Sequence, residues 1–115
     1  LIATLIEAYE AGDLERYLAL FAEDVRTTDG NGYRKLYRDY KKVFARQETR
    51  DLAITEFQWQ DAGSDEMMGN GNLHLVTTAI GSTQSITWTG PFRLDVRRYP
   101  DGLKIRGMYY KLTKK

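Results

Sequence analysis

The hydrophobic period of this chain changes once, near Arg50, and that change divides the fold into two kinds of structure. Before it, apolar side chains recur at helical spacing. Leu14, Tyr17, Leu18 and Phe21 fall at i, i+3, i+4 and i+7, and Tyr33, Leu36, Tyr37, Tyr40, Val43 and Phe44 form a second stripe of the same kind. After it, the period is two. Ile86, Trp88, Phe92, Leu94 and Val96 share one parity, while Thr87, Thr89, Arg93, Asp95 and Arg97 share the other. Helices first and strands afterwards predict an α+β chain, with the helices packed on a bent antiparallel meander.

Punctuation between these stretches sets the expected boundaries. The first helix spans Leu1 to Ala11, and Gly12 suits the left-handed residue just past a helix end, where a Cβ would clash. Asp13 can cap the next helix, which is expected to end near Ala22. A short strand over Val25–Thr28, the turn Asp29-Gly30-Asn31-Gly32 and a third helix over Tyr33–Arg46 follow. Leu52 and Ile54 have one parity and Phe57 and Trp59 the other, so a bulge is expected near Thr55-Glu56. Further strands are expected over Met67–Ile80, Gln84–Tyr99 and Leu103–Leu112, with Thr113-Lys114-Lys115 as a frayed basic end.

At 115 residues the chain is expected to form one domain, residues 1–115, with a single core. A net charge of +1 supplies no global field for nucleic acid or an anionic membrane, and no apolar run is long enough to span one. The composition is that of a soluble chain, cytoplasmic or periplasmic; the absence of cysteine leaves that choice open. The start at Leu1 rather than Met suggests an excised or processed piece.

Gly12-Asp13, Phe21-Ala22-Glu23-Asp24-Val25, the segment from Gly32 to Phe44 and the closing Leu103-Lys104-Ile105 together resemble the nuclear-transport-factor-2-like superfamily, in its SnoaL-like and ketosteroid-isomerase-like branches. The resemblance implies a cystatin-like cone: three N-terminal helices packed into a strongly bent antiparallel sheet, often paired with a second copy through the sheet. It also implies a module of a larger bacterial protein. In the isomerase-like branch the general base is an Asp five residues after the acidic pair, which corresponds to Asp29. The oxyanion donors of that branch would fall at Leu5 and near Phe92, and neither side chain can donate. Steroid-type isomerisation is therefore not expected, and the favoured reading of Asp29 is a cap of the third helix or an organiser of its turn.

The candidate pocket residues are Tyr9, Tyr33, Tyr37, Trp88 and Phe92, and the candidate interface of a homodimer is Trp59, Tyr99, Tyr109 and Tyr110. His74 is the single histidine, so no metal set is expected, and its favoured place is a solvated or dimer-facing side of the sheet. Arg34, Lys35, Arg38, Lys41, Lys42 and Arg46 make one side of the third helix basic, but no stacking aromatics are interleaved, so nucleic acid is not an expected partner. No cofactor is expected. The expected function is a non-catalytic domain that binds a small apolar ligand or mediates association. The alternative is a small isomerase, cyclase or dehydratase acting on an apolar carbonyl substrate, with Asp29 as general base and a tyrosine such as Tyr9, Tyr33 or Tyr37 as donor. The interior of the cone discriminates: polar groups converging on an open cavity favour the enzyme, an apolar cavity favours the binder, and a filled interior favours association.

Overall fold

Gly12 lies at φ 66° and ψ 25°, and there it ends α1 (Ile2–Ala11). A side chain at this position would also have no room, because a Cβ would stand 2.4 Å from the Arg50 guanidinium. Arg50 reaches this corner to donate from Nε to the Tyr9 carbonyl at 2.8 Å. Asp13 caps α2 (Leu14–Leu18) by accepting from the Arg16 amide at 3.2 Å. These facts come from a computed structural model that describes residues 1–115.

The second helix is shorter than its apolar stripe suggested. It stops at Leu18, and Phe21–Thr27 forms β1, which runs parallel to β6 (Gly102–Tyr110) with Phe21 opposite Ile105 and Thr27 opposite Met108. So short a helix gains little from its own hydrogen bonds, whereas pairing with β6 buries Phe21, Ala22 and Val25. The two-residue β2 (Gly30–Asn31) then turns back along β1, and α3 (Tyr33–Arg46) occupies the expected span.

The sheet is completed by β3 (Gln47–Gly63), β4 (Glu66–Ala79) and β5 (Ser85–Tyr99), in the order β2-β1-β6-β5-β4-β3. Strands β3 to β6 form the antiparallel meander; the β1–β6 pair makes the sheet mixed. The anticipated bulge is present: the β3–β4 register shifts between Thr55 and Gln58, and Glu56 takes a φ of 54°. The C-terminal end is not frayed, because Thr113–Lys114 forms β7 against Trp88 and Thr89 of β5. That crossing requires a glycine, since a Cβ on Gly90 would lie 2.0 Å from the Lys111 carbonyl oxygen.

The helices lie in the concave side of this bent sheet, the α+β cone. The core joins Leu5, Ala8, Leu18 and Leu36 to Val25, Leu94, Ile105 and Met108, with Val25, Leu94 and Ile105 wholly removed from solvent. His74 is exposed on β4, between the inward-facing Leu73 and Leu75. No helix is long and apolar enough to cross a membrane.

Candidate functional site

The cone is not filled. A cavity of about 550 Å³ opens between the helices and the sheet, walled by Leu5 and Tyr9 of α1, Tyr17 of α2, Tyr40 and Val43 of α3, Leu73 and Leu75 of β4, Trp88 and Phe92 of β5, and Met108 and Tyr110 of β6. Thr28, Asp29, Gln47, Leu52, Lys111 and Leu112 complete the lining. The volume is that of a small-molecule site, and the lining is mostly apolar with a few polar groups, as such sites are built.

Three phenols and one carboxylate supply most of that polarity. Tyr17 is buried, its ring 4.7 Å from that of Tyr40 and 5.9 Å from that of Tyr9. Its hydroxyl donates to Met108 Sδ at 3.8 Å, a weak acceptor, and also engages the Tyr40 phenol. Tyr40 in turn engages Tyr110, and the Tyr110 hydroxyl donates to Asp29 Oδ2. A continuous polar run therefore leads from the buried floor at Tyr17 through Tyr40 and Tyr110 to Asp29 at the surface.

The placement of Asp29 follows from the turn before it. The Thr28 hydroxyl donates to the Tyr110 carbonyl at 3.2 Å and accepts from the Tyr110 amide at 2.9 Å, so the end of β1 is tied to the end of β6. The Thr27 hydroxyl closes the turn by donating to the Gly30 carbonyl at 2.9 Å and accepting from the Asp29 amide at 3.2 Å. With Thr28 fixed beside Tyr110, the next residue swings its carboxylate onto the Tyr110 phenol. Asp29 does not cap α3: the residue at that cap is Gly32, with no side-chain hydrogen bond.

Burial, which disfavours a charged phenolate, raises the Tyr17 pKa well above the ordinary tyrosine value, and the neighbouring Tyr40 adds to it. Tyr110 is raised by burial, then by Tyr40 and by its hydrogen bond to the Asp29 carboxylate. Tyr40 is raised by burial, against the opposing effect of the adjacent Tyr17 and Tyr110 phenols. Tyr9 is raised by burial and by Tyr40, with Arg50 opposing. All four phenols are neutral hydrogen-bond donors at physiological pH.

Of the five pocket residues expected from the sequence, Tyr9, Trp88 and Phe92 wall the cavity. Tyr33 lies instead in a groove with Leu18, Phe21 and Tyr99, and Tyr37 is exposed with the Lys41 ammonium 5.7 Å from its ring centre. Of the four interface residues, Tyr110 faces the cavity, Trp59 stands edge-on to Phe57, and Tyr99 and Tyr109 carry Arg97 and Arg93 over their rings. Leu5 and Phe92, where the isomerase-like branch would place its donors, are both in the cavity wall and both apolar. Tyr17 and Tyr40 were legible only as members of apolar stripes. A tyrosine within such a stripe is the one available signal, since its hydroxyl must find a partner once buried. No group of three His, Asp or Glu side chains is arranged to hold a metal ion.

No family model and no curated protein matches the sequence. Solved structures do match the fold. A candidate scytalone dehydratase from Novosphingobium aromaticivorans superposes with a TM-score of 0.88 at 10% identity, covering 99% of this chain and 80% of the other. A candidate dehydratase of the nuclear-transport-factor-2-like family from Streptomyces avermitilis gives 0.83 at 19% identity over 95% and 88%. The hexachlorocyclohexane dehydrochlorinase LinA type 3 from Novosphingobium barchaimii gives 0.79 at 14% identity over 99% and 84%. The architecture of this chain is thus the nuclear-transport-factor-2-like cone.

Proposed function

We propose that this chain is a small enzyme of the isomerase, cyclase or dehydratase type, which removes a proton beside the carbonyl of an apolar substrate held in the cone. The observation that carries the reading is the run of phenols from Tyr17 through Tyr40 and Tyr110 to the Asp29 carboxylate, inside an otherwise apolar cavity. Asp29 is the base. Tyr110 donates to one carboxylate oxygen and orients it, which leaves the other oxygen for the substrate C–H. Tyr40 is the donor to the developing oxyanion. Tyr17, whose ring stands 4.7 Å from that of Tyr40, backs it from the cavity floor.

Charge and atoms balance without an oxidant or a cofactor. The C–H electron pair moves into the enolate, and the proton rests on Asp29. That proton then returns either to another carbon, giving a double-bond shift, or to a departing hydroxyl, giving water and an alkene. Among the similar structures, the names of two candidate dehydratases and a dehydrochlorinase support elimination chemistry as the reading. The non-catalytic reading is weaker, because a purely apolar binder gains nothing from desolvating three phenols beside a carboxylate.

The test is proton exchange in D₂O with 2-tetralone, followed by NMR. The wild-type chain accelerates exchange at the carbon beside the carbonyl, Asp29→Asn loses about 10²–10⁴-fold and Tyr40→Phe about 10²-fold. Exchange that is unchanged in Asp29→Asn refutes the reading. The proposal includes a homodimer through the outer sheet face, supported by the arginine-covered rings of Tyr99 and Tyr109 and by the half-exposed Trp59.

A further inference from the structure

The outward side of α3 carries a row of cations that the fold leaves without partners. The helix packs Leu36, Tyr40 and Phe44 against the core of the cone. Arg34, Arg38, Lys41, Lys42 and Arg46 are all exposed on its other side, where the only other exposed side chains are Tyr37 and Ala45. Four of the cations, Arg34, Arg38, Lys42 and Arg46, stand four residues apart. The row therefore advances roughly 6 Å per cation and runs roughly 18 Å in all. None of the five enters an ion pair; the one pair on the helix joins Lys35 to Asp39 at 2.8 Å, on the flank of the stripe. Like charges four residues apart work against a helix, and an ordinary solvated surface mixes the two signs. This stripe has only one.

The rest of the molecule decides what kind of anion fits. The chain has a net charge of +1, so everything outside the stripe carries −4. A wide anionic partner, such as a bilayer or a nucleic-acid duplex, meets that body as well as the stripe and is repelled by it. A narrow partner touches the stripe alone. Single-stranded nucleic acid is narrow but needs aromatic platforms for successive bases. The stripe has one exposed ring, Tyr37, and the Lys41 ammonium already lies 5.7 Å from its centre.

We infer that the exposed stripe of α3 is a docking surface for an extended acidic segment of a partner protein. Alternate side chains of an extended chain fall on one side of it at roughly 6.6–6.8 Å, close to the roughly 6 Å step of the cations. A run of four acidic residues at alternate positions thus sets one carboxylate against each of Arg34, Arg38, Lys42 and Arg46, with Lys41 beside them. Three of those four are arginines, whose guanidinium groups can pair a carboxylate through two hydrogen bonds. The inference does not depend on the catalytic reading, because no part of the stripe enters the cavity wall. It is also compatible with a dimer through the outer sheet face, since α3 lies on the concave side.

The test is fluorescence anisotropy with a labelled peptide of four Glu-Ala repeats, at 20 mM salt. The wild-type chain binds it with a dissociation constant on the order of 100 μM, and at 300 mM salt binding is at least about tenfold weaker. The Gln-Ala counterpart does not bind. A peptide of four consecutive Glu and four Ala, equal in charge, binds at least about threefold more weakly. Arg38→Gln together with Lys42→Gln weakens the alternating peptide about tenfold, while Lys114→Gln with Lys115→Gln, which removes the same charge elsewhere, changes it less than about twofold. Urea melts of the Arg38/Lys42 pair show a midpoint equal to or above wild type, so lost binding is not lost folding. A dissociation constant above 1 mM, equal losses in the two double variants, equal binding of the block peptide, or a lowered midpoint each overturns the inference. Tighter binding of a twenty-residue oligo-dT, or of vesicles with 30% phosphatidylserine, than of the peptide also overturns it. Tetralone exchange that survives in the Arg38/Lys42 variant separates this surface from the catalytic site, and exchange lost there overturns the separation.

Discussion

Alkaline titration probes the phenol run directly. Tyr9, Tyr17, Tyr40 and Tyr110 all have folded pKa values raised above that of an unfolded tyrosine, chiefly by burial. Below about pH 10 both the folded and unfolded chains keep these protons, so the phenols give no pH dependence there. Above it the unfolded chain ionises while the folded chain holds its protons. Stability therefore falls as pH rises, until the folded values are reached. For a phenol that remains protonated, the loss by pH 11 is about 1.4 kcal/mol, and three or four of them acting together lose about 4–6 kcal/mol. That is comparable with the whole stability of a small domain, about 5–15 kcal/mol. Two measurements check this. Urea melts at pH 8, 9, 10 and 11 should coincide at the first two and lose most of their midpoint by the last. Phenolate absorbance near 295 nm should show that at least four of the eight tyrosines stay protonated in the folded chain at pH 10.5 and ionise only when urea is added. Six or more tyrosines ionising before the far-ultraviolet dichroism changes would refute the burial argument, as would midpoints that do not move between pH 9 and 11.

Gly90→Ala places a methyl 2.0 Å from the Lys111 carbonyl oxygen, backbone that cannot rotate away, and should cost about 1–3 kcal/mol in urea melts while releasing β7 from β5. Asp29→Ala should cost less stability than Asp13→Ala, because only Asp13 accepts a helix-end amide; the loss for Asp13 is about 0.5–2 kcal/mol by the same assay. Light scattering at tens of micromolar should return the mass of two chains, and Tyr109→Asp together with Trp59→Asp should return one.

What the sequence determined by itself is everything written in spacings of two to four residues. The α1–α2 corner is local: only glycine is comfortable at the φ of Gly12, and Asp13 needs nothing beyond the next turn to cap it. The span of α3 and the bulge at Glu56 are local for the same reason, since a helical stripe and a broken alternation are both properties of neighbouring residues. The tertiary structure decided what depends on distant partners. Phe21 continues a helical stripe, yet it joins β1, because Ile105 stands opposite it once β6 is in place. Thr28 holds Tyr110 across 82 residues, and that contact turns Tyr110 into the cavity and brings Asp29 to its hydroxyl. Tyr33 and Tyr37 sit on the same helix as Tyr40, but only Tyr40 is rotated onto Tyr17. A phenol in an apolar stripe carries no mark of which other phenol it will meet. That meeting is set by the curvature and register of the sheet, and these are properties of the assembled cone rather than of any stretch of its sequence.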